Sequence, residues 1–525
     1  MHRLVIAATT LLALIGAVVV VAYLFIFGAA TDRAAAIAPG RSLAYASVYL
    51  TPSTGQQMRL ADLLTKLPGF TDRTALGTKI DELAQRFLGD AGLDYRADVK
   101  PWLGDEVALA VIAEGTGSGS TNGTLVIAAV RDERAARAAI ARIVQKASGT
   151  TSSETYNGVA VTLARGSAGQ AGSFAILEGM LLAGSDQATL HAAIDAAQGR
   201  AASLADTDAF RRATQALPTD RLALAYLDIS GAATAGGQSA LASGYHGAAL
   251  ALVARSDGLQ MTGRAPFDAA SADASARANF ALGGEPAGLP SWMPASTRAE
   301  LVFFGARQTF DAVVAQLGSA PGGEQAQQTL TQLRALAALG LGIDLDRDLL
   351  PLFDREAAVA VQELGTTTLR GQVLTRPSNG AAAVDALKRI TESLRGRGSE
   401  VTEQQVAGTS VTTLAVPQVG RVAWAAQDGV ILLGLTPEDV AAALEAHASD
   451  ATLGAAAGYR STFEIAGGHG GNEIYLDSAG ALPWLEGVVN LPSDARDILT
   501  HVGAAAIAIG AHENELEIHA TVTVH

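Results

Sequence analysis

The end of the chain alternates strictly between apolar and polar side chains. In the stretch HENELEIHATVTVH, one set of alternate positions is apolar: Leu516, Ile518, Ala520, Val522 and Val524. The other set of alternate positions includes Glu513, Glu515, Glu517 and His519. Because a strand points successive side chains to opposite faces, this stretch is predicted to be a strand with one face in the core and the other in water.

Two hairpins are predicted in the first half of the chain. In SSETYNGVAVTLA, Asn157 and Gly158 separate two strand-like runs, and they suit a tight turn that needs two left-handed residues. In SFAILEGMLLAGS, Glu178 and Gly179 take the same place. Hairpins join antiparallel strands, so this spacing favours an antiparallel sheet.

Helical periodicity appears on either side of this pair of hairpins. The stretches RDERAARAAIARIVQKA and DQATLHAAIDAAQ carry apolar residues at helical spacing. Short strands joined by hairpins and interspersed with helices predict the α+β class, with antiparallel sheet and helices on one face.

The chain repeats itself about halfway along. GLDYRADVKPWLGDEVALAV, which begins at Gly92, returns at Gly342 as GIDLDRDLLPLFDREAAVAV. Further matches follow in the same order, among them Gly158 with Gly408 and Gly179 with Gly429. The period is too long for a solenoid repeat, and two duplicated domains of about 230 residues are predicted. The predicted boundaries are residues 1–30 for an N-terminal segment, 31–265 for the first domain, 266–291 for a linker and 292–525 for the second domain.

The N-terminal segment is predicted to be a transmembrane anchor. From Leu4 to Phe27 no residue is charged, and a helix of that length spans roughly 36 Å, enough for a bilayer core. A cleaved signal peptide is the alternative, but signal sequences have shorter apolar regions, so the length favours an anchor. The predicted location is the cell membrane, as a single-pass protein with a cytoplasmic N-terminus and the bulk of the chain extracytoplasmic.

Composition narrows the classes of function. The net charge is −15 and the pI is about 5.1, which argues against a nucleic-acid partner, because binding phosphates requires a basic face. The chain has no cysteine, so disulfides and thiol chemistry are excluded. It has no H-E-x-x-H, G-x-S-x-G, P-loop or G-x-G-x-x-G motif. We therefore assign no catalytic residue, no cofactor and no metal ligand.

Aspartates recur at the repeated stretch and have two interpretations. Asp344, Asp346 and Asp348 form D-x-D-x-D, as at the start of a calcium loop. The Gly and Glu that such a loop needs further along are Leu349 and Arg355 here, and the first copy keeps only Asp94 and Asp98. Turn and capping carboxylates are the favoured interpretation, because Asp side chains bond to nearby backbone N–H groups.

Trp102 also has two interpretations. An exposed tryptophan after Pro101 suits a binding anchor. The equivalent position in the second copy is Leu352, and an aliphatic residue there favours a core position for both. The divergence between Trp102 and Leu352 marks a place where the two copies have specialised.

The residues of the first copy resemble an uncharacterised bacterial family, a domain of unknown function. The resemblance rests on GLD…D…PWLG, here Gly92, Leu93, Asp94, Asp98, Pro101, Trp102, Leu103 and Gly104. The second copy departs from it with Leu352, Phe353 and Asp354. Members of that family look like membrane-anchored envelope proteins, so the resemblance implies the same compartment and brings no catalytic residues.

Two functions follow as hypotheses. The first is a non-catalytic envelope protein whose tandem domains bind a partner protein, a lipid or a surface polymer, with the membrane itself contacted through Leu4 to Phe27. The second is an extracytoplasmic hydrolase with a carboxylate-based site between the two halves. A broad apolar groove would favour binding, whereas two close carboxyl groups with raised pKa in a polar pocket would favour the enzyme.

Overall fold

The computed structural model divides the chain into two compact units. The first runs from Met1 to Phe267 and the second from Asp268 to His525. The structure describes residues 32–68, 81–82, 85, 94–113, 122–146, 150–165, 171–235, 243–319, 323–364, 369–416, 420–478, 480–482, 496–497 and 499–525.

The first unit contains an antiparallel sheet and five α-helices among its described residues. The strands are β1 (Ser42–Tyr49), β2 (Leu103–Ile112), β3 (Gly123–Val130), β4 (Thr150–Tyr156), β5 (Val159–Arg165), β6 (Ala171–Leu177), β7 (Met180–Gly184), β8 (Ala223–Leu227), β9 (Ala248–Ala254) and β10 (Gly258–Pro266). The helices are α1 (Thr54–Thr65), α2 (Glu133–Lys146), α3 (Gln187–Ala197), α4 (Asp208–Thr214) and α5 (Ile229–Ala235). Short 3-10 or π-helical turns lie at Ala34–Ala36, Tyr95–Val99 and Leu204–Asp206.

The second unit also has ten strands and contains six α-helices among its described residues. Its strands are β11 (Ala299–Phe304), β12 (Glu356–Leu364), β13 (Leu369–Arg376), β14 (Val401–Val406), β15 (Thr409–Val416), β16 (Gly420–Gln427), β17 (Val430–Gly434), β18 (Asn472–Asp477), β19 (Val502–His512) and β20 (Glu515–Val524). Its helices are α6 (Ala274–Gly283), α7 (Ala306–Ser319), α8 (Gly323–Leu336), α9 (Gly380–Gly396), α10 (Pro437–Ser449) and α11 (Ala457–Ala466). Short 3-10 or π-helical turns lie at Leu289–Trp292, Ala337–Leu341, Leu345–Leu349 and Leu350–Phe353.

The two sheets have the same strand order. In the first unit the order is β4-β5-β6-β7-β3-β2-β1-β8-β9-β10, with every neighbouring pair antiparallel. In the second unit it is β14-β15-β16-β17-β13-β12-β11-β18-β19-β20, again antiparallel throughout. Each strand of one unit therefore has an equivalent in the other, and equivalent residues can be read from the register.

The predicted hairpin turns are confirmed. Gly158 and Gly408 turn β4–β5 and β14–β15 with φ of 83° and 81°, and Gly179 and Gly429 turn β6–β7 and β16–β17 with φ of 74° and 79°. The residue before each glycine also has positive φ, as a two-residue turn of this hand requires.

Helices pack on both faces of the second sheet, so the prediction of helices on one face was wrong. Along β17, Val430 and Leu432 lie in a core with α10 and α11, whereas Ile431 between them lies in a core with α9. Adjacent strand residues point to opposite faces. The cause is visible in the run VILLG, which is apolar at every position rather than alternate ones and therefore suits a strand covered on both sides.

The predicted fold class included a transmembrane helix, and this part of the prediction is corrected. The antiparallel sheets with their helices are α+β, but within the described residues no helix is both long and apolar enough to cross a membrane. The longest described helix, Gly380–Gly396, has 17 residues and carries several charges, whereas a span needs about 20 predominantly apolar ones. The segment from Leu4 to Phe27, on which the prediction rested, lies outside the described residues.

The segment 266–291, predicted as a linker, contains regular structure. Helix α6 begins within it at Ala274 and is capped by Asp273, whose side chain accepts the N–H of Ala276 at 2.8 Å. The 3-10 helix Leu289–Trp292 follows, with Leu289 and Trp292 in the core of the second unit. From Asp268 onward this segment therefore belongs to the second unit.

Candidate functional site

A cavity of about 520 Å³ lies inside the second unit. Its floor is the sheet face formed by β12, β13, β15, β16 and β17, and its cover is α9 with the short helices Leu345–Leu349 and Leu350–Phe353. The lining residues are Ile343, Leu349, Leu352, Val359, Ala360, Val361, Leu369, Gly371, Gln372, Val373, Leu387, Ile390, Leu394, Leu414, Val416, Val422, Ala423, Trp424, Leu433, Gly434 and Leu435. Two of these side chains carry a polar group, Trp424 through its indole N–H and Gln372 through its amide. The Nε2 of Gln372 donates to the backbone oxygen of Asp439 at 2.6 Å.

The strand register builds the floor of this cavity. Val359 on β12 lies opposite Val373 on β13, Val373 opposite Leu433 on β17, and Leu433 opposite Trp424 on β16. Side chains directly opposite each other share a sheet face. The floor is therefore a continuous apolar row across four strands.

Helix α9 supplies the opposite wall by helical spacing. Leu387, Ile390 and Leu394 stand three and then four residues apart, so they share one face of the helix. The opposite face carries charged residues, Lys388 and Glu392 among them, both exposed. This amphipathic pattern directs the apolar face onto the cavity.

Trp424 forms one end of the cavity and is held in place. It is 8% exposed, and its Nε1 donates to Thr391 Oγ1 at 3.1 Å. A buried indole N–H needs such a partner. The hydroxyl of Thr391 donates in turn to the backbone oxygen of Leu387 at 2.8 Å, so the ring orientation is fixed by α9.

The cavity opens beside two exposed leucines. Leu369 is 50% and Leu435 45% exposed, although both line the cavity. Its volume falls within the range typical of small-molecule sites, about 300–1,000 Å³. Water gains few hydrogen bonds between such walls, so the chemistry of the site suits a hydrocarbon group.

Trp102 occupies the equivalent region of the first unit. It is 7% exposed and packs with Ala128, Ala136, Ala139 and Leu181, between α2 and the β6–β7 hairpin. Its Nε1 donates to the backbone oxygen of Asp98 at 2.6 Å. Leu352, at the equivalent position, is fully buried and lines the cavity. The first unit thus has an indole where the second unit has the smaller side chain of leucine.

Asp348, the last aspartate of the D-x-D-x-D stretch, is 2% exposed and binds two guanidinium groups. Arg347 donates to both of its oxygens at 2.9 Å, and Arg389 of α9 donates to Oδ1 at 3.2 and 2.9 Å. The hydrogen bonds from Arg347 and Arg389 hold the pKa of this carboxyl well below its usual range, against the opposing effect of burial. Asp98 in the first unit has the equivalent partner, Arg142 of α2, at 3.2 Å.

The other three aspartates cap turns or pair on the surface. Asp344 accepts the N–H groups of Asp346 and Arg347 at 3.0 Å, and Asp94 accepts the N–H of Ala97 at 2.9 Å. Asp346 pairs with Arg334 at 2.9 Å. Among the described residues no group of three or more His, Asp or Glu side chains is arranged to hold a metal ion. The carboxylates of this stretch thus bind arginines and backbone amides.

Buried glutamates also recur at one position in both units. Glu356 accepts the N–H groups of Gly288 and Leu289 at 2.6 and 2.8 Å and pairs with Arg376 at 2.9 Å. Its equivalent, Glu106, accepts the N–H groups of Arg33 and Ala34, both at 3.2 Å. Both carboxyl groups therefore cap the N-terminus of a 3-10 helix. Burial, and then the charge of Asp32, raises the pKa of Glu106 to about 8.

The cavity was not predicted from the sequence. The apolar runs in β16 and β17 and the apolar face of α9 were visible as patterns, and they indicate a core. Whether a core closes fully depends on side-chain volumes at facing positions, and only the Trp102/Leu352 divergence pointed to this place.

Comparisons with known proteins assign the chain to a family whose function is unknown. The sequence profile of a family described as "Protein of unknown function (DUF3352)" matches residues 4–524, so the predicted membership of an uncharacterised family is confirmed. A comparison with curated proteins found no match. Two solved structures to which the chain is similar are crystal forms III and IV of TP0453, at 10% and 11% identity. The similarity covers 50% and 45% of this chain and 90% and 81% of the other, with TM-scores of 0.26 and 0.24, too low to carry an argument.

Proposed function

Since the chain belongs to this family of proteins of unknown function, we propose that it is a non-catalytic binding protein whose second unit holds the hydrocarbon part of a lipid. The observation that carries the proposal is the cavity under α9, which is lined by apolar side chains and open beside Leu369 and Leu435. Transfer of a hydrocarbon chain from water to such walls is favourable by about 0.8 kcal/mol per buried CH₂ group.

Among the ligands predicted from the sequence, a lipid suits this cavity best. A surface polymer built of sugars needs hydrogen-bond donors and acceptors, because unpaired hydroxyl groups are costly to bury. A partner protein would bury a wide area, whereas this cavity is a cleft between α9 and the sheet. The extracytoplasmic location in the cell envelope stays a prediction from the sequence.

The alternative, a carboxylate-based hydrolase, receives less support from the described carboxyl groups. The glutamates with raised pKa, Glu106 and Glu300, are 2% and 3% exposed. A general acid or base must reach its substrate within hydrogen-bond distance. Side chains this deeply buried are closed off from a substrate in this conformation.

The proposal can be tested through the fluorescence of Trp424. A fatty acid brominated along its chain should quench part of the tryptophan fluorescence in a saturable titration, because its bromines would lie against the indole in the cavity. The unbrominated fatty acid should compete and restore the signal. Binding at about one ligand per chain is expected, with a Kd at or below the micromolar range for a pocket that buries most of a chain.

The matched control is Trp424→Phe, which leaves the other three tryptophans of the sequence in place. Phenylalanine suits this strand position, because the equivalent residue of the first unit is Phe174. The saturable quenching should disappear in this variant. If it persists undiminished, the ligand binds elsewhere and the proposed site is wrong.

A further inference from the structure

A second polar feature of the second unit lies on the opposite sheet face from the cavity. The hydroxyl of Tyr459, on α11, lies 3.1 Å from Glu300 Oε1 and 2.8 Å from Glu473 Oε2. The three side chains are nearly inaccessible to water, with exposures of 2% for Tyr459, 3% for Glu300 and 1% for Glu473. Two carboxyl groups therefore share one phenol in the core.

The number of protons shared by Tyr459, Glu300 and Glu473 determines which hydrogen bonds they can form. A phenol has one proton to donate, so Tyr459 donates to one of the carboxyl groups. If both contacts are hydrogen bonds, the second carboxyl group must itself carry a proton and donate it to the phenol oxygen. At least one of the two glutamates is therefore neutral when the cluster is intact.

The surroundings identify which glutamate is neutral. Glu473 Oε1 accepts the N–H of Gly470 at 3.1 Å and lies 2.9 Å from His469 Nδ1, so it has the donors that an anion needs. Glu300 Oε2 is buried and has no hydrogen-bond partner among the described residues. The proton is therefore placed on Glu300.

None of the described groups that face Glu300 is a cation. Those groups are Glu473 and Tyr475 of β18, Tyr459 of α11 and the carboxyl of Glu356 on β12. The arginines nearby bind other carboxylates: Arg376 binds Glu356, and Arg298 binds Asp477. Burial, and then the charge of Glu473, raises the pKa of Glu300 to about 8.

The first unit has the same framework without these acids. The strand positions equivalent to Glu300 and Glu473 hold Tyr45 and Leu224, and Phe210 takes the place of Tyr459. The aromatic contact is retained: Phe210 packs edge-on to Tyr226, and Tyr459 to Tyr475, each at 5.1 Å. The acids at these strand positions are thus particular to the second unit, whereas in the first unit the hydroxyl of Tyr45 donates to Asp32 Oδ1 at 2.5 Å.

We propose that Glu300, Tyr459 and Glu473 form a proton-dependent switch that stabilises the second unit when Glu300 is protonated and loosens it when both carboxyls are ionised. In the protonated state the cluster joins β11, β18 and α11 by hydrogen bonds. Loss of the proton to water leaves two buried anions with one phenol proton between them. His469 is half exposed and contacts Glu473, which gives the cluster a route to solvent. The inference is independent of lipid binding.

The direction of the pH effect follows from the pKa. Glu300 has an ordinary pKa of 4.5 and a raised pKa of about 8 in the folded unit. Protonated Glu300 therefore contributes fully to the stability of the folded unit below about pH 4.5. This contribution is lost as the pH rises through about 8. Between these values the opening equilibrium should rise by about tenfold per pH unit for one such group.

Hydrogen exchange of the full chain, resolved by peptide, tests this. Protection factors for peptides covering β11 and β18 should fall between pH 5 and 8 in the wild type, and Glu300→Gln should remove most of that fall. Peptides of the first unit should keep their own pH dependence in the variant, since Glu106 is unchanged. Equal pH slopes in the wild type and Glu300→Gln at β11 and β18 would overturn the switch.

Infrared spectroscopy gives a second readout that does not depend on unfolding. At neutral pH the wild type should show C=O bands of protonated carboxylic acids from Glu300 and from Glu106, whose pKa is raised as well. Tyr459→Phe should shift only the Glu300 component, because only the hydrogen bond of Glu300 changes. Should Glu300→Gln fail to fold, the difference spectrum between wild type and Tyr459→Phe still tests the proposal: no C=O difference between the two at pH 7 contradicts the assignment of the proton.

Discussion

Val373→Phe is expected to weaken lipid binding at least tenfold, about 1.4 kcal/mol. Val373 lies in the middle of the cavity floor, between Val359 and Leu433, and it is only partly buried because it faces the cavity. A phenyl ring there occupies the volume that a hydrocarbon chain would take, and overfilling a packed site costs about 1–3 kcal/mol. The titration of Trp424 fluorescence with the brominated fatty acid measures the change.

The matched control is Val126→Phe in the first unit. Val126 lies opposite Ala183 on β7 as Val373 lies opposite Leu433 on β17, so the two valines are equivalent, and Val126 is 38% exposed. The same substitution there should leave the Kd within about twofold. Equal weakening in both variants would indicate an indirect effect and contradict the cavity as the binding site.

Asp348→Asn is expected to destabilise the second unit by about 2 kcal/mol, the scale of hydrogen bonds to a charged group, because both arginines stay partly exposed to water. The substitution keeps the shape of the side chain but removes the charge that binds Arg347 and Arg389. Arg389 lies on α9 and Asp348 on the adjoining short helix, so the variant also loosens the cover of the cavity. Chemical denaturation at neutral pH measures the loss in the free energy of unfolding.

The pH dependence of this contribution is opposite to that of Glu300. Because the folded-state pKa of Asp348 is lowered, its stabilisation is present above its ordinary value of 3.8 and is lost as the pH falls below it. The difference between wild type and Asp348→Asn should therefore shrink toward low pH.

Asp346→Asn, in the same D-x-D-x-D stretch, is the control for this prediction. Asp346 is about half exposed and pairs with Arg334, itself 39% exposed. An exposed pair of this kind contributes up to about 1 kcal/mol. If the two variants lose equal stability, or if Asp348→Asn loses none, the structural role given to Asp348 is wrong.

Local features of the fold were predictable because they depend on neighbouring residues. The hairpins at Gly158 and Gly179 follow from turn chemistry in two adjacent positions, and the strand β20 follows from its alternation. The helices on both sheet faces were missed, although the unbroken apolar run in β17 is typical of a strand covered on both sides.

The sites depend on residues far apart in the chain and were not predictable. From the sequence, Asp348 is interpreted as a capping or calcium-binding residue. The structure instead places it beside Arg389, which lies 41 residues later in the chain. The Glu300–Tyr459 contact spans 159 residues. The cavity is lined by side chains from five strands, α9 and two short helices, so its extent depends on packing in three dimensions.

Anomalous scattering from a crystal of the full chain soaked with the brominated fatty acid would locate the ligand directly. Bromine peaks are expected inside the second unit, between Leu387 or Ile390 of α9 and Val373 or Leu433 of the sheet. Peaks confined to the protein surface, or located in the first unit beside Trp102, would contradict the proposed lipid site.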